Sequence, residues 1–406
     1  MKRESPLEYY RRDISRCVKC GACRAVCTSF LQDRQETYSA RGRMALIQAV
    51  LDGRLTASAV YHDRLATCTG CLACETACPS KVPVTAIIRA AKEQAMNETG
   101  PGFINSAVSA VLRNPPALRA AAWLAPIALH FAKGHGGTRR VTSSARGFRG
   151  KGTCAARQEK RHKVAFFPGC AAYIQRDMSA AVHSVLDRLG CDVVIPSGLK
   201  CCGGPLLSLG DRDGARECAL HNNGIFLELQ ADTIVTACAT CGLTFKRDYP
   251  ALLPPNAKSP VVLDIHEVVA ERLAGVELSP VEKRITWHDP CHLDRGQGLS
   301  KTARDILRTI PGLTLVEMKD PGGCCGFGGV MRLTHPDFSG AIAREKAKNI
   351  IATGADAVAT GCPGCSLQLS DALRRMGSGI EVLHTVQILE QALADEKVMS
   401  AKRRTG

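Results

Sequence analysis

Short apolar runs alternate with helical patterns along the C-terminal half of the chain. The runs lie at 164–167, 233–235, 285–287 and 357–359. Stretches with apolar residues at helical spacing follow them, for example 180–189 and 341–351. Strand, loop and helix in alternation are typical of a parallel sheet with crossover connections, and ligands of such sheets collect beyond the carboxyl ends of the strands. The pattern therefore predicts an α/β architecture for this half.

The N-terminal part shows helical periodicity instead. Its first helical pattern has apolar residues at Met44, Ile47, Val50 and Leu51. A second pattern covers 81–97, and a third, 103–132, is interrupted by three prolines that would break a helix. The first two predict a helical domain. The third fits packing on a partner subunit, a position in a membrane interface, or ordinary burial in a core.

Basic residues are concentrated between these two parts. The chain has 53 Lys and Arg against 38 Asp and Glu, a net charge of +15, and residues 133–163 hold ten of the basic residues but one acidic residue, Glu159. This Gly- and Ser-containing segment cannot bury apolar area and predicts a linker. It fits either a solvated linker or attraction to anionic lipid headgroups. Nucleic acid is not an expected partner, because no aromatic residues are interleaved with the basic ones.

Membrane-spanning and secreted proteins are both disfavoured. The longest charge-free apolar stretch has 13 residues, 120–132, whereas a bilayer helix needs about 20. The basic N-terminus is not followed by an apolar segment, so we expect no secretory signal and a cytoplasmic location. Since thiols stay reduced there, the 21 cysteines indicate metal ligation rather than structural disulfides.

Two N-terminal cysteine runs share one spacing, C-x2-C-x2-C-x3-C. They comprise Cys17, Cys20, Cys23 and Cys27, and then Cys68, Cys71, Cys74 and Cys78. This spacing is the signature of a protein with two 4Fe-4S clusters, in which the fourth cysteine of each run binds the other cluster. We therefore predict one cubane cluster at Cys17, Cys20, Cys23 and Cys78, and the other at Cys68, Cys71, Cys74 and Cys27. Zinc is the alternative, but it takes four ligands from paired CxxC units.

A duplicated cysteine pattern occupies the C-terminal half. Each copy has a single cysteine, then Cys-Cys-Gly, then Cys-x2-Cys. The copies comprise Cys170, Cys201, Cys202, Cys238 and Cys241, and then Cys291, Cys324, Cys325, Cys362 and Cys365. Nearly constant offsets of 121, 123 and 124 residues between equivalent cysteines indicate duplication. His288 and His292 flank Cys291 and are either donors to a thiolate sulfur or ordinary loop histidines.

Three cysteines lie outside these groups, namely Cys154, Cys191 and Cys218. Free cysteine commonly behaves as a small hydrophobe, so we expect these three to be buried or bystander thiols.

The arrangement resembles two known domain types. Residues 17–98 resemble the all-helical ferredoxin domain of respiratory iron–sulfur subunits, and each duplicated copy resembles the CCG, or cysteine-rich, domain. The whole order is similar to the glycolate oxidase iron–sulfur subunit. The resemblance implies an α+α/β fold class, with an N-terminal all-helical two-cluster ferredoxin domain (1–99), a helical and then basic linker (100–162), and two tandem Rossmann-like α/β CCG domains (163–282 and 283–406).

The resemblance also implies cofactors. In heterodisulfide reductases of this family, the five cysteines of one complete copy hold a noncubane 4Fe-4S cluster, and both copies are complete here. Two noncubane clusters are therefore expected in addition to the two cubane clusters. A zinc site or a simple thiol pair is the alternative for each copy.

The function implied by the resemblance is electron transfer. No GxGxxG motif follows a predicted strand, so the chain lacks a dinucleotide fingerprint, and no catalytic residue is predicted. The family implies an iron–sulfur subunit of a glycolate or D-lactate dehydrogenase, with an FAD-containing partner subunit. Electrons would pass toward quinone, at a membrane partner or an anionic surface on the inner face of the cytoplasmic membrane. A disulfide reductase and a structural cluster protein are the alternatives.

Overall fold

The computed structural model describes residues 5–121, 162–173, 175–231 and 233–393. Its N-terminal part is helical, as predicted. The α-helices there are α1 Arg11–Ser15, α2 Ala22–Ala25, α3 Thr28–Asp33, α4 Ala40–Leu51, α5 Ala59–Ala66, α6 Ala73–Thr76, α7 Val84–Thr99 and α8 Phe103–Arg113. Residues 115–121 are also helical.

The C-terminal part alternates strands with helices. The strands are β1 His162–Phe167, β2 Cys191–Val194, β3 Thr233–Thr236, β4 Val262–Asp264, β5 Lys283–Trp287, β6 Leu313–Val316, β7 Ala357–Thr360 and β8 Glu381–His384. The helices are α9 Arg176–Arg188, α10 Gly204–Leu209, α11 Arg212–Glu228, α12 Ala239–Leu243, α13 Tyr249–Leu252, α14 Ile265–Arg272, α15 Cys291–Gln297, α16 Ser300–Arg308, α17 Met331–Thr334, α18 Pro336–Ile351, α19 Pro363–Arg375 and α20 Thr385–Ala392.

The strands form two four-stranded parallel sheets with the same topology. Their orders are β2-β1-β3-β4 and β6-β5-β7-β8. In the central pairs, Val164 lies opposite Thr233 and Ile285 lies opposite Ala357. The four apolar runs of the sequence fall within β1, β3, β5 and β7, the two central strands of each sheet, where both faces are covered. The predicted parallel α/β architecture is confirmed.

The two copies share one hydrophobic core. Phe166, Ile234, Trp287 and Val358 have no exposed surface and belong to one continuous apolar cluster. Helix α9 of the first copy packs against α20 of the second, and α12 packs against α15. Because this packing joins the copies, the cysteine loops at the carboxyl ends of the two sheets have a fixed relative position.

The helical domain has its own core and is seated on both copies. Ile47, Leu65 and Ile87 are fully buried within it. Helix α7 packs against α10 of the first copy, and α3 packs against α18 of the second. An ion pair between Arg89 of α7 and Asp248, with an N–O distance of 3.0 Å, also joins the helical domain to the first copy. The cysteine runs of the helical domain are therefore held close to those of the two sheets.

Helix α8 ends at Arg113, immediately before the predicted proline break. Ser109 is its one buried residue, while Phe103 and Ile104 are exposed, so core burial is wrong for this part of the 103–132 pattern. Residues 122–132 and the basic segment up to residue 161, with Cys154, lie outside the described residues. Among the helices that the structure describes, none combines the length and apolarity needed to cross a bilayer.

Gly42 allows helix α4 to pass close to the preceding turn. A Cβ atom at this position would lie 1.9 Å from the carbonyl oxygen of Glu36. We expect Gly42→Ala to lower the free energy of unfolding by about 2 kcal/mol, because the backbone would have to move. Gly340→Ala in α18 is the control, since nothing lies within 4 Å of its Cβ position. It should raise stability by about 0.5–1 kcal/mol. Equal effects in anaerobic chemical denaturation would contradict this explanation.

Candidate metal centres

The first group of thiols, set A, lies near the protein surface. Its members Cys17, Cys20, Cys23 and Cys78 line one small cavity. Gly21 has a φ of +85°, which allows the loop to reverse before α2. Cys20 is exposed, and the other three thiols are half-buried. The structure thus brings Cys78 of the second run together with three thiols of the first run.

The second group, set B, consists of Cys68, Cys71, Cys74 and Cys27. Burial raises the pKa of Cys74 strongly, and the neighbouring Cys68, Cys71 and Cys27 add to this effect. The buried Arg43 directs Nη1 at the Cys27 sulfur, 3.9 Å away, while its Nη2 donates to the Thr67 hydroxyl at 2.8 Å. This side chain was not predicted to face a thiol.

The third group, set C, consists of the five cysteines of the first copy. They are Cys170, Cys201, Cys202, Cys238 and Cys241. Cys170 follows β1, and Cys238 follows β3 as the residue before α12. The pKa of Cys202 is lowered strongly, because the thiols of Cys201 and Cys241 donate to its sulfur, as does the Gly204 backbone N–H. The five thiols therefore form one connected group.

The fourth group, set D, is the equivalent group of the second copy. Its members are Cys291, Cys324, Cys325, Cys362 and Cys365. The sulfurs of Cys325 and Cys365 lie 3.3 Å apart. The pKa of Cys324 is lowered strongly by hydrogen bonds from the thiols of Cys291 and Cys325, and the Gly326 backbone N–H lies 3.3 Å from its sulfur. Each copy thus gathers five sulfurs beyond the carboxyl ends of its strands, as expected.

The donor chemistry of sets A to D fits iron–sulfur clusters. All eighteen clustered cysteines are free thiols, and eight of the ten in sets C and D are buried, while Cys170 and Cys291 are half-buried. Several buried thiolates require compensating cations. Backbone N–H groups aimed at sulfur are the outer contacts that such clusters use. Five sulfurs also exceed the four ligands of a zinc site.

The two remaining described cysteines are different. Cys191 and Cys218 are both fully buried within the apolar core of the first copy. Burial raises the pKa of the Cys218 thiol to about 12. The prediction of buried small hydrophobes is confirmed for these two residues.

The two histidines that flank Cys291 have different surroundings. In the described structure neither ring nitrogen of His288 has a hydrogen-bond partner, although both are buried, and one lies within 4.8 Å of the sulfurs of Cys325 and Cys365. Burial lowers the pKa of His288 to about 3, so the ring is neutral. His292 instead contacts the Thr240 hydroxyl at 3.0 Å and the Gly70 carbonyl oxygen at 3.2 Å. His288 is therefore the candidate donor to sulfur, and His292 joins the domains.

His288 offers a test because the first copy has Phe167 at the equivalent position. We expect His288→Phe to lower the midpoint potential of set D, since a donor to sulfur is lost. A net hydrogen bond of about 0.5–1.5 kcal/mol corresponds to about 20–60 mV for one electron. His288→Gln keeps a donor and should restore most of the potential. A redox titration followed by magnetic resonance measures both, and an unchanged potential in His288→Phe would show that the ring does not contact the centre.

The four sets are adjacent to one another. Cys23 of set A and Cys27 of set B interact electrostatically. The Thr69 side chain lies beside both Cys71 of set B and Cys324 of set D, and these two cysteines pack together. Set D meets set C through a hydrogen bond between the side chains of Cys362 and Cys238. The sets therefore lie in the order A, B, D, C.

Sequence reasoning missed these links. The one signal for the last link is that Cys238 and Cys362 occupy equivalent positions of the repeat, so that a symmetric pairing of the copies would bring them together. No spacing in the sequence indicates that Thr69 bridges two sets. Its position depends on the docking of the helical domain on the second copy.

Family models match the same regions of the chain. A cysteine-rich domain (CCG) model matches residues 164–246 and again 285–370. A 4Fe-4S dicluster domain model matches residues 13–82. The two matches to the cysteine-rich model contain sets C and D, and the dicluster match contains sets A and B.

Several curated proteins are similar to the chain. It is 39% identical to a fumarate reductase (CoM/CoB) subunit of Methanothermobacter marburgensis over 59% of this chain and 48% of that protein. It is 33% identical to a subunit of the dihydromethanophenazine:CoB–CoM heterodisulfide reductase of Methanosarcina barkeri, over 58% of this chain and 60% of that protein. The glycolate oxidase iron–sulfur subunit of Escherichia coli is 28% identical over 94% of both chains.

The chain spans about half the length of the Methanothermobacter relative but nearly all of the Escherichia coli one. The chain therefore carries a 4Fe-4S dicluster domain followed by two cysteine-rich (CCG) domains.

Proposed function

We propose that the chain is the iron–sulfur electron-transfer subunit of a 2-hydroxy-acid dehydrogenase complex, with glycolate or D-lactate as the substrate. An FAD-containing subunit removes the hydride, and electrons leave toward quinone at the inner face of the cytoplasmic membrane. The observation that carries the proposal is the continuous order of sets A, B, D and C, which suits electron transfer. The resemblance to the glycolate oxidase subunit over 94% of both chains supports the choice of complex.

The eighteen cysteines of sets A to D are the proposed ligands. Sets A and B would hold cubane 4Fe-4S clusters, and sets C and D would hold noncubane ones. Bound clusters of this kind supply one-electron redox chemistry. The protein keeps the sulfurs of neighbouring sets adjacent, excludes water from sets C and D, and aims N–H groups at sulfur. The exposed Cys20 places set A at the surface, where a partner subunit can approach.

Reconstitution of electron transfer tests this proposal. The full chain, purified without oxygen together with its co-purifying flavoprotein, should become reduced when glycolate or D-lactate is added. The chain alone should show no reduction with either substrate, because it lacks a dinucleotide motif. Reduction by substrate without any flavoprotein would contradict the division of labour.

A second candidate is a disulfide reductase. The contact between Cys238 and Cys362 favours it, because two complete five-cysteine sets face each other there. A disulfide lying between them would meet both sets. The isolated holoprotein would then reduce an organic disulfide with electrons from a reduced dye, whereas an electron-transfer subunit would not turn over disulfide.

A further inference from the structure

A cavity of about 330 Å³ lies where the helical domain meets both copies. Its walls come from α5 and α7 of the helical domain, from Ser208 and Leu209 of the first copy, and from the loop after the Cys-Cys-Gly motif of the second. Leu65 and Ala66 in its wall precede Cys68 of set B, and Gly328 follows Cys325 of set D. The cavity is therefore next to two thiol sets, and its volume suits a small organic molecule.

Two polar side chains, Lys92 and His62, line this cavity. Lys92 donates to the Ser208 carbonyl oxygen at 2.9 Å, which uses one of its three N–H groups. Desolvation lowers the pKa of Lys92 to about 8, which shows how closely the protein surrounds the ammonium group. The Nε2 atom of His62 is buried and has no partner among the described residues. An unpaired buried polar atom in a cavity wall is costly unless a ligand bonds to it.

The lining favours a neutral molecule with an apolar body. Its charged side chains are Lys92 and Asp63, whose formal charges cancel, and Asp63 also lies 3.1 Å from Nε2 of His335. Leu65, Met96 and Val330 supply apolar surface. A cavity with no net formal charge does not select an anion over a neutral carbonyl compound.

Exposed apolar side chains follow one segment of the cavity wall. Residues 100–102 line the cavity, and the next two residues, Phe103 and Ile104, are 89% and 52% exposed. An apolar tail attached to a ligand in the cavity could extend out of the cavity and pack on these side chains. Singly exposed apolar residues are common, but here two of them directly follow lining residues in the sequence.

From these observations we propose that the cavity binds the head group of a quinone, with Lys92 and His62 donating to its carbonyl oxygens. The inference rests on the proposed electron-transfer function and names the acceptor's site. Reduction of the quinone to hydroquinone takes two electrons and two protons. Clusters held by the cysteines of sets B and D would supply the two electrons, one each, and the protons would come from solvent by way of Lys92 and His62. Both C=O bonds become C–OH groups.

Direct binding to the oxidised holoprotein tests the site without turnover. Titration calorimetry with decylubiquinone should give saturable binding, and Lys92→Met should raise the Kd about tenfold, the effect of losing a hydrogen bond from a charged donor. Ala59→Trp places an indole at the cavity wall from an exposed position and should abolish binding even if Lys92→Met folds poorly. The matched controls are Lys301→Met, at a side chain 85% exposed, and Val60→Trp, at a neighbour 63% exposed that does not line the cavity.

Each outcome decides the matter. Weaker binding in both cavity variants with unchanged binding in both controls supports the site. An absence of quinone binding, or equal affinity in all variants, overturns it. The site is also overturned if an organic disulfide displaces decylubiquinone and other quinones do not. Iron content and reoxidation of the dithionite-reduced chain by ferricyanide report on the electron-transfer function separately. A chain that passes electrons to ferricyanide but binds no quinone would leave that function standing.

Discussion

Cys27→Ala should remove about four irons, and they should be the irons of the second cysteine run rather than of the first. Cys27 belongs to the first run in sequence, but Arg43 and the electrostatic contact with Cys74 place it in set B. Cys78, from the second run, lines the cavity of set A. Loss of one of the four ligands of set B should prevent assembly of the whole cluster at that set.

Double variants identify which cluster is lost. Cys27→Ala with Cys74→Ala changes two members of one set and should remove about four irons, no more than either change alone. Cys27→Ala with Cys23→Ala changes two different sets and should remove about eight. Iron analysis of anaerobically purified protein measures both. The opposite result, eight for the first pair and four for the second, would show that each run binds its own cluster.

Cys202→Ala and Cys325→Ala should each remove about four irons from the otherwise unchanged chain, and the double variant should remove about eight. Both side chains are buried and exchange hydrogen bonds with other thiols of their sets. The loss should therefore come from sets C and D respectively, with sets A and B unchanged.

The control is Cys218→Ala. Cys218 is fully buried in the first copy, like Cys202, but belongs to no set. It should keep the iron content of the unchanged chain. If Cys202→Ala and Cys218→Ala lost the same amount of iron, the loss would come from general destabilisation of the copy, and a specific ligand role for Cys202 would be contradicted.

Most of the local architecture could be predicted from the sequence. The apolar runs indicated the central strands because β1, β3, β5 and β7 are covered on both faces. The short edge strand β4 was not predicted, because it has three residues and two of them are only half-buried. Cysteine spacing also predicted which thiols meet within each set, because the ligands of one set lie on a few loops of fixed length.

Contacts between sets could not be predicted. They depend on how three units pack, and Thr69, which lies between two sets, has no distinctive spacing. The positions of His288 and His292 beside Cys291 indicated a possible donor to sulfur. Which of the two histidines is that donor depends on the surroundings of each ring, and the sequence does not show them. Core burial was one expectation for the helical pattern at 103–132, and it is wrong for α8. Amphipathic spacing does not reveal which face of a helix is covered.

Iron and acid-labile sulfide analysis of the anaerobically purified full chain tests the central claim most directly. Four occupied thiol sets predict about sixteen irons and as many sulfides per chain. About eight irons would contradict occupancy of sets C and D, and a preparation with zinc in place of iron would contradict the account as a whole.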